Sequence, residues 1–338
     1  MGVKYLNKYL RNECSNAITY MQMNELTNKE IVIDTSIYMY KYNIDGGLIE
    51  NIYLMLSVFK HYKIIPIFIF DGKPPDEKRK LLHQRYMEKK RASDKYNIMK
   101  DKLNDLDINT MTNNDKLELK LEMDVLKRKM VYIKGEDIQQ VKELISTFGV
   151  QYYDAPGEAD ELCATMVKTN KAWACLSEDM DMFIYGVPRV IRYFSLLNNS
   201  VVLYNTQDIL QQLRISQKEL QEICIFSGTD YNNSCEIYNP ENNVLQMTLE
   251  LFRMYKAIKK EVGFFNWLFS INKIKKDQYH ELKNIYKMFT TEKSEIKDII
   301  NNMSSCANII DNISLNKYKL QQILENDGFI FGRNSILV

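Results

Sequence analysis

Seven acidic side chains stand at the ends of apolar runs or at the start of the helix that follows: Asp34, Asp71, Glu158, Asp160, Asp179, Asp181 and Asp230. Aspartate is a poor strand former, and alone each acid would serve as a turn residue or a helix N-cap. Together they fall where adjacent parallel strands would all end, which predicts one acidic pocket. Crowded carboxylates repel unless hard cations neutralise them, and an oxygen-only donor set suits Mg²⁺ or Mn²⁺. Basic patches elsewhere balance this pocket, as in proteins that hold a polyanion near bound metal.

The elements that must place these acids can be read from the apolar periodicity. Residues 30–34 form a short strand ending in Asp34, and 64–70 a second that runs into Asp71-Gly72-Lys73-Pro74-Pro75. Between them, 48–62 carries helical spacing at Ile52, Met55, Leu56 and Phe59, giving a βαβ unit. Residues 150–154 and 172–176 add strands, with a helix over 158–168 between them. Near-continuous apolar runs fit a parallel sheet covered on both faces. Ligands of such sheets bind beyond the carboxyl ends of the strands, where the acids stand.

Residues 76–134 break this rhythm. They are polar, charge-dense and nearly free of Gly and Pro after Pro75, as expected of helices projecting from the sheet. Lys78 and Arg85 lie two helical turns apart and point the same way, and Lys89 extends that face by one turn. A run of charge is usually a solvated face, but this one starts directly after an acid of the pocket. A second basic stretch includes Lys256, Lys259, Lys260, Lys273, Lys275 and Lys276, in a region that reads as mainly helical from Ile209 onward.

Composition bounds the rest. The 338 residues are 45% hydrophobic and 26% charged with a net charge of +1, enough for a full core. Six cysteines without a CxxC pair give no disulfide framework or thiolate metal site, and three scattered histidines argue against zinc. The amphipathic start predicts no secretory leader, Leu6 argues against a lipid on Gly2, and no run is apolar enough to span a membrane. The expectation is an intracellular monomer.

Six blocks in order resemble the flap endonuclease superfamily of structure-specific 5′ nucleases: Met1-Gly2-Val3-Lys4-Tyr5-Leu6, Ile33-Asp34-Thr35-Ser36, Phe70-Asp71-Gly72-Lys73-Pro74-Pro75, Ala155-Pro156-Gly157-Glu158-Ala159-Asp160, Ser177-Glu178-Asp179-Met180-Asp181 and Ser227-Gly228-Thr229-Asp230-Tyr231. The resemblance implies an α/β, PIN-like (Rossmann-like), mostly parallel sheet flanked by helices. It implies a nuclease core over 1–235 with a helical arch inserted at 76–135, a helical DNA-binding region over 209–300, and a closing segment over 301–338. Carried over by motif, Asp34, Asp71, Glu158 and Asp160 serve one Mg²⁺, and Asp179, Asp181 and Asp230 a second, with Mn²⁺ able to substitute. Asp160 stands where some relatives have Glu, which keeps the carboxylate but shortens its reach.

The implied activity is 5′-flap endonuclease and 5′→3′ exonuclease action on DNA in replication, repair or recombination. Two cations about 4 Å apart would activate water and steady the departing 3′ oxygen, leaving a 5′-phosphate. Lys78 and Arg85 would hold the scissile phosphate, Tyr40 would stack on a base near the cut, and Gly2 would lie beside the site. The family resemblance implies the nucleus, or a cytoplasmic replication site for a viral chain.

Two departures from the family pattern stand out. The helix-hairpin-helix turn is replaced by 237–243, which lacks both glycines and carries Glu241 in place of a basic residue. Duplex binding is therefore expected to shift to other lysines: Lys256, Lys259 and Lys260. The sequence from Leu320 to Leu324 and from Phe329 to Phe331 has some of the ingredients of a sliding-clamp peptide at the wrong spacing, and reads instead as a closing helix and strand packed on the body. A non-catalytic DNA-junction scaffold, a junction- or bubble-cutting nuclease and an RNA-directed PIN-type nuclease are the alternative readings.

Overall fold

Two apolar runs, each five or six residues long, sit side by side in parallel at the heart of a seven-stranded sheet. The computed structural model describes residues 2–44, 46–105, 113–232, 243–258, 262–290, 293–303 and 315–331, without the side chains of 102–116. In chain order the elements are α1 (Leu6–Glu13), β1 (Ile18–Gln22), β2 (Glu30–Asp34), α2 (Thr35–Ile44), α3 (Leu48–His61), β3 (Ile65–Phe70), α4 (Arg79–Asp105), α5 (Asn113–Lys129), α6 (Gly135–Thr147), β4 (Gln151–Asp154), α7 (Ala159–Lys168), β5 (Ala174–Leu176) and α8 (Asp181–Ile184). They continue with β6 (Arg189–Ser195), β7 (Ser200–Asn205), α9 (Thr206–Leu213), α10 (Gln217–Ser227), α11 (Val244–Ala257), α12 (Phe264–Ser270), α13 (Lys276–Thr290), α14 (Ser294–Asn302) and α15 (Lys317–Asn326).

The sheet order is β1-β7-β6-β5-β2-β3-β4, parallel from β6 through β4 and antiparallel where β7 meets β6 and β1. Alternation along each parallel strand feeds two cores. Val32, Ile67, Ile69 and Cys175 pack on one face with Leu162, Phe183 and Phe226. Ile31, Ile33, Phe68 and Leu176 pack on the other with Met55, Phe59 and Leu144. Burial on both faces explains why these strands read as unbroken apolar runs. It also brings the carboxyl ends of β2, β3 and β5 to one edge of the sheet.

The sequence-derived strands form with shifts of one or two residues: β3 starts at Ile65 rather than Ile64, and β5 spans only Ala174–Leu176. Strands β1, β6 and β7 extend the sheet beyond those that the sequence marked. Helices α4 and α5 project together and share a small cluster of their own, in which Ala92, Met99 and Leu126 are buried. Lys95 pairs with Glu122 across them at 2.6 Å. At the far end of the chain, α15 closes the second core with Leu320 and Leu324 fully buried. The strand expected at Phe329–Phe331 does not form: this stretch is irregular, tied back by Phe329 N to Leu324 O and by the Phe329 ring against Tyr53. Among the described residues no helix is long and apolar enough to cross a membrane.

Candidate active site and metal pocket

The acids owe their places to strand ends and to the turns that follow them. Asp34 closes β2 and is 4% exposed, and its Oδ2 accepts from the Ser177 hydroxyl at 3.1 Å. The Ser177 oxygen in turn accepts from Asp179 N at 3.1 Å, and Asp179 Oδ1 accepts from Asp181 N at 2.9 Å. The turn after β5 is thus wound on its own side chains, which presents two acids from three residues of backbone.

Asp71 follows β3, and its Oδ1 accepts from Ala159 N at 2.8 Å, the first amide of α7. Glu158 occupies the N-cap position of that helix without capping it. Its Oε1 instead meets Lys78 Nζ at 2.5 Å, and its Oε2 accepts from the Tyr231 hydroxyl. The capping role that an acid ordinarily plays here has passed to Asp71, which leaves Glu158 facing the cavity. The close approach of the two loops requires Gly72, where an added Cβ would fall 2.0 Å from Ala155 O.

A cavity of about 540 Å³ collects the result: Asp34, Asp71, Glu158, Asp160, Asp179 and Asp230 line it together with Lys78, Arg85 and Lys89. Asp181, 2% exposed, lies behind Asp179. Gly2 closes that side with a φ of +75°, and a Cβ there would come within 2.4 Å of Asp181 Oδ1 and 2.5 Å of Asp179 Oδ1. Only glycine accepts both the left-handed backbone and that contact.

The electrostatics are those of acids short of compensating charge. Burial, reinforced by Asp71 and Asp179, pushes the Asp34 carboxyl up to about 8. Burial also holds Asp160 and Asp181 well above the usual carboxylate range, with Asp34 and Asp179 adding repulsion at the former, Asp179 and Asp230 at the latter. Asp160 Oδ1 and Asp181 Oδ1 are buried without a hydrogen-bond partner. Among the described residues no three His, Cys, Asp or Glu side chains form a finished ligand shell. Lys78 and Arg85 engage two of the acids, Glu158 and Asp230. An oxygen-only donor set with orphaned carboxylate oxygens fits a hard divalent cation.

The cations enter from the root of the projection. Lys78 is 7% exposed; burial disfavours its charge, but Glu158, Asp160 and Asp230 outweigh that and raise its pKa. Its ammonium lies 3.9 Å from Asp230 and 4.9 Å from the centre of the Tyr231 ring. Arg85, 40% exposed in its side chain, holds Asp230 Oδ2 at 2.9 Å. Of the three tyrosines in α2, Tyr38 and Tyr42 are core residues, whereas Tyr40 is 40% exposed and lines the cavity.

Other sequence-derived candidates lie elsewhere. Lys256 stands in the last turn of α11, is not among the residues lining the cavity, and its ammonium meets Glu219 Oε1 at 2.6 Å. Lys259 and Lys260 fall outside the described residues, as does the hairpin segment over 237–242. Sequence reasoning gave no role to Ser177 or Tyr231, although both stand inside the motif blocks. Glu178, in the same block as Ser177, also has a structural part to play. Glu178 Oε1 accepts from Tyr193 N at 2.6 Å, its Oε2 is 3.4 Å from Arg192, and its carbonyl accepts from that guanidinium, so it pins the Asp179 turn to β6.

Comparison with known proteins agrees with this layout. The XPG N-terminal domain model matches residues 1–92 and the XPG I-region model residues 149–230, together just over half of the chain. Flap endonuclease 1 of Methanococcus aeolicus is 31% identical over 228 residues, which is 63% of this chain and 65% of that protein. Flap endonuclease 1 of Drosophila mojavensis is 26% identical over 277 residues, 77% of this chain and 66% of that one. The matches thus span just under two thirds of these relatives' lengths. Among solved structures, the catalytic core of Rad2 in complex with DNA substrate superposes with a TM-score of 0.56 at 20% identity, covering 85% of this chain and 84% of that one. That likeness is one of fold, the PIN-like α/β sheet. Two family models in the right order, spanning the strand ends that carry the acids, establish that the chain belongs to the XPG/flap endonuclease superfamily.

Proposed function

We propose that the chain is a divalent-metal-dependent, structure-specific 5′ nuclease that hydrolyses DNA phosphodiesters at 5′ flaps or junctions and from 5′ ends. The observation that carries this reading is the meeting of two opposed walls in one cavity. Six acids line it from the ends of β2, β3 and β5, the start of α7 and the turn after α10, while Lys78 and Arg85 reach Glu158 and Asp230 from the other side. Pure acid would repel a phosphodiester, and pure base would bind one without cleaving it.

Asp34, Asp71, Glu158 and Asp160 would hold one Mg²⁺, and Asp179, Asp181 and Asp230 a second, with Mn²⁺ accepted in their place. Bound there, the cations supply charge neutralisation and Lewis acidity for attack of water on the phosphodiester. Lys78 and Arg85 exchange their carboxylate partners for the scissile phosphate and stabilise the charge that builds on it. Gly2 keeps the chain's first turn clear of Asp179 and Asp181, so that backbone and substrate can approach closely. Tyr40 offers its exposed ring to a base beside the cut. By family resemblance the compartment is the nucleus, or a cytoplasmic replication site for a viral chain. No clamp-binding role is assigned to α15, whose Leu320 and Leu324 are committed to the core.

The test is a labelled 5′-flap duplex, a 3′-flap duplex and a single-stranded RNA, each with Mg²⁺ and with chelator. Mg²⁺-dependent cutting near the 5′-flap junction supports the reading. Tight binding with no cutting under any divalent metal would make the chain a junction scaffold, and preference for the RNA would make it a ribonuclease.

A further inference from the structure

One part of the cavity is not explained by acids and phosphate. At its mouth the Lys89 ammonium lies 4.9 Å from the centre of the Tyr40 ring and 4.6 Å from that of Tyr132, so a single cation touches two aromatic faces. Tyr132 lies between α5 and α6, 46% exposed, and its carbonyl accepts from the Asn43 side-chain amide at 3.1 Å. That bond fastens its loop to the end of α2, the helix that carries Tyr40. Leu82 and Tyr86 complete an apolar rim on the α4 side, with Arg85 facing inward between them. Burial and the neighbouring Arg85 both lower the Lys89 pKa.

Two π-faces around one long, flexible ammonium form a slot that a flat ring can fill, because a base stacks on the same electron-rich surfaces that attract the cation. We propose that Tyr132 and Tyr40 together form a clamp for one unpaired nucleobase next to the scissile phosphate, and that Lys89 occupies the slot until the base displaces it toward the phosphate backbone. The inference rests on the nuclease reading above and deepens it by adding Tyr132 and Lys89 to the base contact proposed for Tyr40. The occupant is a nucleobase rather than an apolar peptide because the slot opens directly onto the cavity that holds Arg85 and Lys78, and a nucleotide brings the phosphate those residues need.

The experiment is a cycle of residue against base. A 5′-flap duplex carries either a normal nucleotide or an abasic one at each position flanking the cut. Affinity for each is measured with Ca²⁺ for wild type, Tyr132→Phe and Tyr132→Leu, alongside single-turnover cutting with Mg²⁺ and a thermal melt of each variant. At one position, removing the base should weaken wild-type binding about tenfold. Tyr132→Phe should keep that dependence, and Tyr132→Leu should lose it without a change in melting. Losses from Tyr132→Leu and from the abasic site that simply multiply, or a Tyr132→Leu protein that binds like wild type, would overturn the clamp. If wild type cuts flaps yet no position shows base dependence, the clamp is wrong and the nuclease reading stands. If wild type neither binds nor cuts any flapped duplex, both fall.

Discussion

The two walls of the cavity are built on different principles. The acid wall is fixed by backbone: Asp34, Asp71 and the Asp179 turn follow directly from paired strands with a core on either face. The basic wall hangs on side chains at the root of two helices that share only a thin apolar cluster around Ala92, Met99 and Leu126. A site that must cancel charge needs its carboxylates held against their own repulsion, which takes a rigid sheet. A site that must admit a polymer needs its cations on something that can give way. Stability is therefore expected to be concentrated on the acid side.

The largest effect that separates the walls is on turnover. Asp181→Ala removes a carboxylate of the acid wall without touching the projection, so cutting should fall by about 10³-fold or more while flap affinity changes little; normal cutting would remove Asp181 from the site. Next comes Arg85→Ala, expected to slow single-turnover cutting by about 10²-fold with a much smaller loss of binding. Equal losses in both would reduce Arg85 to a steering residue. Arg85 is the cleaner probe of the two cations. Truncating Lys78 leaves Glu158 unpaired in a largely buried pair, an expense of about 3–5 kcal/mol that would blur catalysis with stability.

A pH series probes the acid wall itself. Asp34 rises to about 8, and Asp160 and Asp181 are also raised, so these groups bind protons more tightly in the folded chain than in the unfolded one. Their contribution to stability is present at low pH, below the unfolded values, and fades as pH climbs through the folded values. In chelator, the melting temperature should drop as pH rises from 6 to 9, and millimolar Mg²⁺ should restore it. A flat profile, or equal rescue by monovalent salt, would contradict a wall of uncompensated carboxylates. The smallest effect concerns Tyr231→Phe, which keeps the ring beneath Lys78 but removes the hydroxyl that donates to Glu158. It should raise the Mg²⁺ concentration needed for half-maximal thermal stabilisation a few-fold. Hydrogen exchange sharpens the comparison from the other side: amides of α7 should protect far longer than those in the outer turns of α4.

How much of this was legible in the sequence depended on burial. Strands β2 and β3 announced themselves because both faces are covered, leaving runs such as Ile-Val-Ile with no polar interruption. Strand β6 did not, since Arg192 sits in its middle, buried by its bonds to Asn7 and Glu178 rather than exposed. Strand β1 is half exposed and shows no apolar run. The acids were legible as a set because motif order held them together across distant segments. The supports were not, because the Ser177 and Tyr231 hydroxyls donate to acids more than 70 residues away. A lysine in a basic stretch gives no sign of its protein partner: Lys256 faces Glu219.

The most direct measurement is diffraction at the manganese edge from crystals soaked in Mn²⁺. Two anomalous peaks are expected inside the cavity, one within ligand reach of Asp34, Asp71, Glu158 or Asp160 and one within reach of Asp179, Asp181 or Asp230. Well-ordered carboxylates with no peak among them at millimolar Mn²⁺ would contradict a two-metal site.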